Sequence, residues 1–150
     1  MSPPLSQILH EWMCVTIRYS MRGFMLYAKQ NNYSVPQLNV LFRLQHKGSC
    51  GVSELADEMG VTAAAASQLL ERLVQQGLVQ RSEDPLDRRN RRMTLTEAGQ
   101  QVVQESVAAR QSWLDRLPAL LSEMEQEQVA TALRILIERA ETLDEKNEQV

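Results

Sequence analysis

The first third of the chain carries two amphipathic helical patterns in succession. Along residues 5–30, apolar side chains recur every three or four positions, which predicts one long helix that ends at Asn31. Ser34 is a suitable cap for a second helix, Pro36 is tolerated in its first turn, and Gly48 provides the left-handed residue that closes it. Both helices therefore have one face to bury against other elements.

Two shorter helical segments follow and are separated by a glycine. The first covers residues 52–59, Gly60 supplies the turn, and Thr62 caps a second segment over residues 63–76, which Gly77 ends. A helix, a glycine turn and a capped helix in this order are typical of a helix-turn-helix motif. The inward face of the second helix is predicted to consist of Ala66, Leu69, Leu70 and Leu73.

The pattern changes after Gly77, where short strand-like segments replace the helical spacing. Residues 78–81 and 92–95 are predicted to form two strands, and the segment between them is rich in turn residues and arginine. The whole chain has a net charge of −3, yet residues 87–92 contain four arginines and one aspartate. A mildly acidic protein that concentrates cations at the tip of a hairpin is suited to a local anionic partner.

Two further helices are predicted in the last third of the chain. Thr96 caps a long helix that we expect to continue as far as Pro118. Ser122 and Glu125 have the spacing of a capping box for the last helix. The predicted fold is therefore mainly α-helical with one small β hairpin. The apolar stripe of the last helix consists of Val129, Leu133, Leu136, Ala140 and Leu143.

Composition narrows the class of protein. A chain of 150 residues with 43% apolar and 23% charged residues fits one folded soluble domain and not a disordered chain. It has no apolar run of about 18 residues that would span a membrane, and its first residues lack the features of a secretory signal. Two cysteines are too few for a disulfide framework, so we expect a cytoplasmic protein.

Several short motifs in the central part of the chain are similar to those of one known family. They are VSELA at 52–56, GVT at 60–62, LLERL at 69–73, GLV at 77–79, DPLDRR at 84–89 and LTEAG at 95–99. On these motifs the chain resembles the MarR family of bacterial winged-helix transcription regulators. The flanking helices agree with that family in number, length and order, so the resemblance covers nearly the whole chain.

The resemblance implies a single MarR-type domain over residues 1–150 that forms an obligate homodimer. Its winged helix-turn-helix lobe corresponds to residues 34–96, and its dimerisation helices to residues 5–30 and 97–146. Two such lobes read a palindromic operator in double-stranded DNA, and no cofactor is implied. The apolar stripes of the terminal helices support association independently, because the short central lobe cannot cover three long helices. The alternative is that these stripes close a monomeric bundle.

The helix over residues 63–76 is the candidate reader of the major groove. The amide of Gln68 suits adenine and alanine methyl groups suit the methyl group of thymine, so we predict an A/T-rich half-site. The family commonly has Ser or Thr at positions 64 and 65 and Arg at 68, so three donors are absent or weakened here. Arg72 and Ser53 are expected to contact phosphates. The candidate contacts in this region are Ser53, Thr62, Ala63, Ala64, Ala65, Ser67, Gln68 and Arg72.

The hairpin between the two strands is the candidate wing. Arg88 or Arg89 at its tip is expected to enter a minor groove, where narrow A/T tracts concentrate negative potential. By the family motif, Asp87 and Arg89 are the paired positions, and Asp87 holds an arginine fork in place. The alternative for any run of arginines is a solvated loop. Further phosphate contacts are expected from the strand residues Arg81, Arg91 and Arg92.

Two kinds of effector are compatible with the first helix. Some relatives sense peroxides through a cysteine there, which makes oxidation of Cys14 one hypothesis; the alternative is a small buried apolar side chain. The other hypothesis is a small aromatic or phenolic ligand, since the family has a crevice between its dimerisation helices and its DNA-binding lobe. The alternative there is ordinary core. The candidate pocket residues are Trp12, Tyr19, Arg22 and Trp113.

The remaining side chains do not indicate a catalytic site. His10 and His46 are isolated, so no metal site is predicted, and Cys50 is interpreted as an incidental loop thiol. The sequence has no nucleophile–base pair and no phosphate-binding glycine loop, so we do not expect an enzyme. We expect a DNA-binding regulator, most simply a repressor, that a ligand or oxidation releases. The alternative of another class is a winged-helix protein-interaction module, which would not need the basic wing.

Overall fold

The computed structural model describes residues 3–83 and 91–147. This part of the chain contains six α-helices and one two-stranded antiparallel sheet, which confirms the predicted mainly helical fold. The chain divides between Gln111 and Ser112 into two compact units. Among the described residues, no helix is long and apolar enough to cross a bilayer. The elements are α1 (Leu5–Gln30), α2 (Val35–Lys47), α3 (Val52–Met59), α4 (Ala63–Gln75), β1 (Val79–Glu83), β2 (Arg91–Leu95), α5 (Glu97–Gln111) and α6 (Glu123–Asn147).

The helix starts in the first unit follow the caps that the sequence contains. Ser34 Oγ accepts the N–H of Gln37 at 3.3 Å, while the Gln37 side chain accepts the N–H of Ser34 at 2.9 Å. Thr62 Oγ1 accepts the N–H of Ala65 at 3.2 Å at the start of α4. Each bond satisfies a backbone donor that the helix itself leaves unpaired. Both predicted caps are confirmed.

A glycine follows each of the two helices of the helix-turn-helix. Gly60 follows α3 with a φ of 64°, and Gly77 follows α4 with a φ of 71°. These left-handed angles are costly for a residue with a Cβ, which explains why glycine occupies both positions. The chain then closes onto the end of α4, since the N–H of Leu78 donates to the carbonyl of Leu73 at 2.9 Å. The predicted helix-turn-helix is present.

The core of the first unit forms around α2, which contacts α1, α4, α5 and β2. On α4, Ala66, Leu70 and Leu73 are buried as predicted, whereas Leu69 is half-buried. Removing a leucine side chain from water contributes about 1.5–3 kcal/mol, so this inward side fixes how α4 lies on the unit. The fully buried side chains include Phe24, Leu38, Leu41, Leu44, Leu55, Leu70 and Leu73.

A third short segment joins the hairpin. β1 and β2 pair antiparallel along their length, and Cys50 exchanges both backbone hydrogen bonds with Met93 of β2, at 3.1 and 2.8 Å. Cys50 is 2% exposed and pairs with a strand, so its predicted place in a loop is wrong, while the interpretation of its thiol as incidental stays a prediction. The cause is the pairing with a strand far along the chain, which turns the cysteine side chain inward and leaves no local signal in the sequence.

The helix after Thr96 is shorter than predicted. It begins where expected but ends at Gln111 and not at Pro118. Residues 114–116 and 118–120 form two short 3-10 helices instead. Pro118 would remove only the hydrogen bond to the carbonyl of Leu114, so it does not by itself account for an end at Gln111. The residues before it instead form hydrogen bonds between positions three apart.

The second unit contains the last predicted helix. The N–H of Ser122 donates to Glu125 Oε2 at 2.8 Å, and the N–H of Glu125 donates to Ser122 Oγ at 3.4 Å. This reciprocal pair is the predicted capping box, and α6 begins at Glu123, directly after Ser122. On the predicted apolar stripe, Leu136 is half-buried, while Val129 and Leu133 are exposed.

Candidate nucleic-acid interface

α4 presents one side to solvent over its first turns. The opposite side is closed, because Ala66, Leu70 and Leu73 are buried. The open side combines methyl groups, hydroxyl groups, one amide and one guanidinium, which are the groups that contact base edges and phosphates in protein–DNA complexes. Of the residues predicted to lie here, Ala65 is half-buried. The exposed ones are Thr62, Ala63, Ala64, Ser67, Gln68 and Arg72.

Ser53 and Thr62 lie at the N-terminal ends of the two helices of the motif. Ser53 is exposed in the first turn of α3. The oxygen of Thr62 accepts a backbone N–H of α4, which leaves its own hydroxyl hydrogen available for donation. The partial positive charge of a helix N-terminus adds to the attraction of a phosphate at such a position.

Arg81 lies on β1 beside α4. Its guanidinium forms an ion pair with Glu71 of that helix, and the two side chains are 46% and 47% exposed. A pair this open to water contributes little to stability, since solvent screens it. Glu71 lies one helical turn after Ser67, so the pair holds the Arg81 guanidinium beside that part of α4. The assignment of Arg81 to a phosphate stays a prediction.

Arg92 on β2 is held by the loop between α2 and α3. Its Nε donates to Ser49 Oγ at 2.8 Å, and its Nη2 donates to the carbonyl oxygen of Ser49 at 3.1 Å. The same Nη2 lies 4.0 Å from Glu54 Oε2. The sequence assigned Arg92 to phosphates, whereas the structure shows its guanidinium bound to groups of the protein.

Charged side chains continue from Glu54 to α2. Lys47 Nζ donates to Glu54 Oε1 at 2.7 Å and also to Glu58, which accepts from Arg43 Nη1 at 2.9 Å. Hydrogen bonds from Lys47 lower the pKa of both carboxyl groups below the usual range, and the two carboxylates raise the pKa of Lys47. The result is a row of alternating charges from Arg43 to Arg92 that spans α2, α3 and β2.

The wing tip predicted from the sequence lies outside the described residues. This holds for Asp87, Arg88 and Arg89, and for the side chain of Arg91. The last paired positions of the hairpin are Glu83 and Arg91, so β1 and β2 frame the segment that carries the arginines. The DNA contacts assigned to these residues stay predictions.

Comparison with known proteins identifies the family of this chain. The sequence model of the MarR family matches residues 33–90. Over 111 residues the chain is 35% identical to the HTH-type transcriptional repressor MdtR of Bacillus subtilis (strain 168), and the match covers 74% of this chain and 72% of that protein. The chain belongs to the MarR family. It is a transcriptional regulator and not an enzyme, as the sequence predicted.

Solved structures share the fold of this MarR-family chain. The transcriptional regulator Tm0710 from Thermotoga maritima superposes with a TM-score of 0.76 at 21% identity and covers 93% of this chain and 95% of that one. A mutant of S. aureus MepR bound to an oligodeoxyribonucleotide gives 0.66 at 20% identity, with 93% and 99% covered. At these identities the likeness concerns the fold alone, and the predicted winged-helix fold is confirmed.

The pocket residues predicted in this MarR-family chain do not form an enclosed site within the first unit. Trp12 and Tyr19 are 41% and 45% exposed on α1, and Arg22 is exposed as well. Trp113 is half-buried and belongs to the second unit. The assignment of these four side chains to a ligand stays a prediction.

Cys14 is exposed, so the alternative of a small buried side chain is wrong for this position. The reason is that α1 buries only its C-terminal part, where Phe24, Tyr27 and Ala28 lie. A groove of about 540 Å³ runs along the N-terminal half of α1, and Cys14 lines it together with His10. Among the residues that the structure describes, no three His, Cys, Asp or Glu side chains form a cluster suited to a metal ion.

Two contacts between distant residues of the first unit were not predicted from the sequence. The guanidinium carbon of Arg110 lies 4.0 Å and 4.7 Å from the ring centres of Phe24 and Phe42, and burial lowers the pKa of this arginine. Gln37 Nε2 donates to Gln76 Oε1 at 3.1 Å and so links the start of α2 to the end of α4. In both cases the partners are distant in the sequence, and no local pattern marks them.

Proposed function

We propose that this regulator is a DNA-binding repressor that acts in the cytoplasm as a homodimer on a palindromic operator. The observation that carries the proposal is the exposed side of α4, where Ser67, Gln68 and Arg72 face outward from a buried apolar base. Two relatives support it, since MdtR is named a transcriptional repressor and the MepR structure contains an oligodeoxyribonucleotide. The lobe over residues 34–96 reads the DNA, and residues 5–30 and 97–146 form the dimer.

In this proposal α4 reads an A/T-rich half-site. Gln68 pairs with adenine through its amide, and the methyl groups of Ala63 and Ala64 contact thymine methyl groups. Ala65 contributes less, because it is half-buried. Arg88 or Arg89, oriented by Asp87, enters the adjacent minor groove. Phosphate contacts come from Ser53, Arg72, Arg81 and Arg91.

The homodimer is proposed from apolar side chains that the single chain leaves in water. On α1, Met13 and Ile17 are 58% and 54% exposed, and on α6, Ile135 and Ile137 are 55% and 57% exposed. Covering apolar surface contributes about 25 cal/mol per Å², so a second copy that packs on these helices is stabilised. Exposed apolar surface on this scale is typical of an interaction site, and symmetric association of identical chains is the commonest way to cover it.

Selection of binding sites from random-sequence duplex DNA tests this proposal. We expect an inverted repeat of A/T-rich half-sites whose centres lie about 10 base pairs apart, or a multiple of that distance. Affinity for the selected duplex should fall steeply as salt rises, because phosphate contacts release counterions. A G-rich core in the half-site would contradict the role of Gln68. Absence of binding to any duplex at low salt would favour the protein-interaction module.

Arg89→Ala tests the wing. Loss of one arginine that enters a minor groove should cost about 1–3 kcal/mol per half-site, measured by titration of the selected duplex at moderate salt. Arg43→Ala is the matched control, since that arginine binds Glu58 of the protein and lies outside both the proposed DNA contacts and the proposed dimer helices. Unchanged binding of the Arg89 variant would contradict its role.

A small aromatic ligand is proposed as the effector, because Trp12 and Tyr19 offer exposed rings on α1 and Arg22 offers a charge for an acidic group. The alternative is oxidation of Cys14, which its exposure favours. Each probe is added to the complex with the selected duplex: a panel of phenols and aromatic acids, or hydrogen peroxide. Release by an aromatic compound that Cys14→Ser leaves unchanged supports the ligand. Release by peroxide that Cys14→Ser abolishes supports oxidation.

A further inference from the structure

β2 is fixed to the loop between α2 and α3 at two adjacent residues. Met93 exchanges both backbone hydrogen bonds with Cys50, and next to it Arg92 donates to the hydroxyl and to the carbonyl of Ser49. Because one planar guanidinium makes both side-chain bonds, its direction relative to the loop is fixed as well. The strand that leads away from the wing is thereby joined to the segment from which α3 begins.

The same guanidinium faces the N-terminus of α3. Glu54 Oε2 lies 4.0 Å from Arg92 Nη2, and it also accepts the N–H of Gly51 at 3.4 Å. Glu54 directly follows Ser53, for which a phosphate contact is proposed, and a carboxylate at that place would repel the DNA backbone. Its contacts with Lys47 and Arg92 explain why an acid stands there, since it binds cations of the protein.

We propose that Arg92 is a positioning residue that fixes β2, the strand that follows the wing, relative to α3 through Ser49, and that it does not itself bind a phosphate. This inference rests on the DNA-binding function proposed above. The wing and Ser53 make their contacts together only if the spacing between the two elements matches the duplex. Because this spacing is fixed before binding, less conformational entropy is lost when the complex forms. The affinity therefore rises without an additional contact to DNA.

The test separates the shape of the Arg92 side chain from its charge. Arg92→Lys keeps the positive charge, but a single ammonium group cannot reproduce the fork that grips Ser49. We expect Arg92→Lys and Arg92→Gln to bind the duplex recovered from random DNA about 3- to 10-fold more weakly, as expected for lost hydrogen bonds. Binding of Arg92→Lys to a G/C-only duplex of the same length should be unchanged. Arg43→Lys, a matched substitution at an arginine outside the proposed DNA contacts and the proposed dimer helices, should bind both duplexes like the unmodified protein.

Ser49 provides a second, milder set of variants. Ser49→Ala removes one of the two acceptors and should give part of the loss in affinity, whereas Ser49→Thr keeps the hydroxyl and should restore binding. Added to Arg92→Lys, Ser49→Ala should cause no further loss, because the two residues act through the same contact. Thermal unfolding of each variant, followed by circular dichroism, shows that the lobe remains folded.

Two results would overturn the inference. If Arg92→Lys binds as tightly as the unmodified protein while Arg92→Gln is weak, the charge contacts a phosphate directly. If the losses of Ser49→Ala and Arg92→Lys multiply in the double variant, the two residues act independently. Failure of the unmodified protein to bind any duplex at low salt is a different result, which removes the DNA-binding function and this inference with it.

Discussion

At the scale of single residues, Gly99 shows why the LTEAG segment ends in glycine. A Cβ at this position would collide with the carbonyl oxygen of Leu78 and come within 3.2 Å of the Leu95 side chain. We expect Gly99→Ala to lower the free energy of unfolding by about 1–3 kcal/mol, because α5 and Leu78, the residue before β1, must move apart. Gly51→Ala, which meets nothing within 4 Å, should cost less than about 1 kcal/mol. Equal losses in denaturant titrations would contradict this explanation.

The two cysteines differ in their environment. Cys50 is buried against β2, and burial raises the pKa of its thiol, so less thiolate is present at any given pH than for a free cysteine. In a Cys14→Ser variant, we expect a thiol reagent at neutral pH to react with Cys50 only as fast as the lobe opens. Denaturant should restore the rapid rate of an exposed thiol. Rapid labelling of the native variant would contradict the burial.

At the scale of elements, α4 divides stability and recognition between its two sides. Leu70 is 1% exposed, so Leu70→Ala should lower the free energy of unfolding by about 2–5 kcal/mol. Gln68→Ala, on the exposed side, should change it by no more than about 0.5 kcal/mol but weaken binding to the selected duplex by about 1–3 kcal/mol. Denaturant titration and DNA titration of the same two variants measure this division. Unchanged DNA binding of the Gln68 variant would remove it from the interface.

The elements were predictable where their causes are local in the sequence. Ser34, Thr62 and Ser122 each cap a helix through a partner three residues away, and all three helices begin as predicted. The open side of α4 was predictable because it follows from the spacing of buried residues on one helix. The contact between Arg92 and Ser49 spans 43 residues, so the sequence alone offered no reason to remove this arginine from the set of phosphate contacts.

Three features of the structure were not predicted from the sequence: the end of α5, the burial of Cys50 and the exposure of Cys14. The early end of α5 at Gln111 was missed because the apolar pattern continues beyond it, through Trp113, Leu114 and Leu117. The burial of Cys50 depends on its pairing with β2, and a single bridge produces no alternation to detect. The exposure of Cys14 follows from the packing of α1, of which only the C-terminal part with Phe24, Tyr27 and Ala28 is buried.

At the scale of the whole molecule, acidic and basic groups are separated along the chain. Residues 97–150 contain 11 Asp and Glu against 5 Lys and Arg, whereas residues 1–96 contain 8 against 11. A net charge of −3 disfavours unspecific attraction of the whole molecule to DNA, so a duplex is attracted only where the basic residues lie. The proposed contacts therefore depend on bringing two lobes to the duplex together, and association of two chains becomes the property that decides affinity.

Ile17→Glu tests directly whether the association of two chains decides the affinity for DNA. The side chain is 54% exposed on α1, so the substitution should leave the fold intact, and circular dichroism should show unchanged helix content. In the proposed dimer the new carboxylate lies in an apolar interface, where burying an unpaired charge is costly, so sedimentation should show single chains. A single lobe should bind the selected duplex about 10²- to 10⁴-fold more weakly, because the second half-site is no longer reached within one complex. Gln45→Glu introduces the same group at an exposed position of α2, outside the helices proposed to form the dimer, and should leave both properties unchanged. A dimeric Ile17 variant with normal affinity would exclude this side of α1 from the interface.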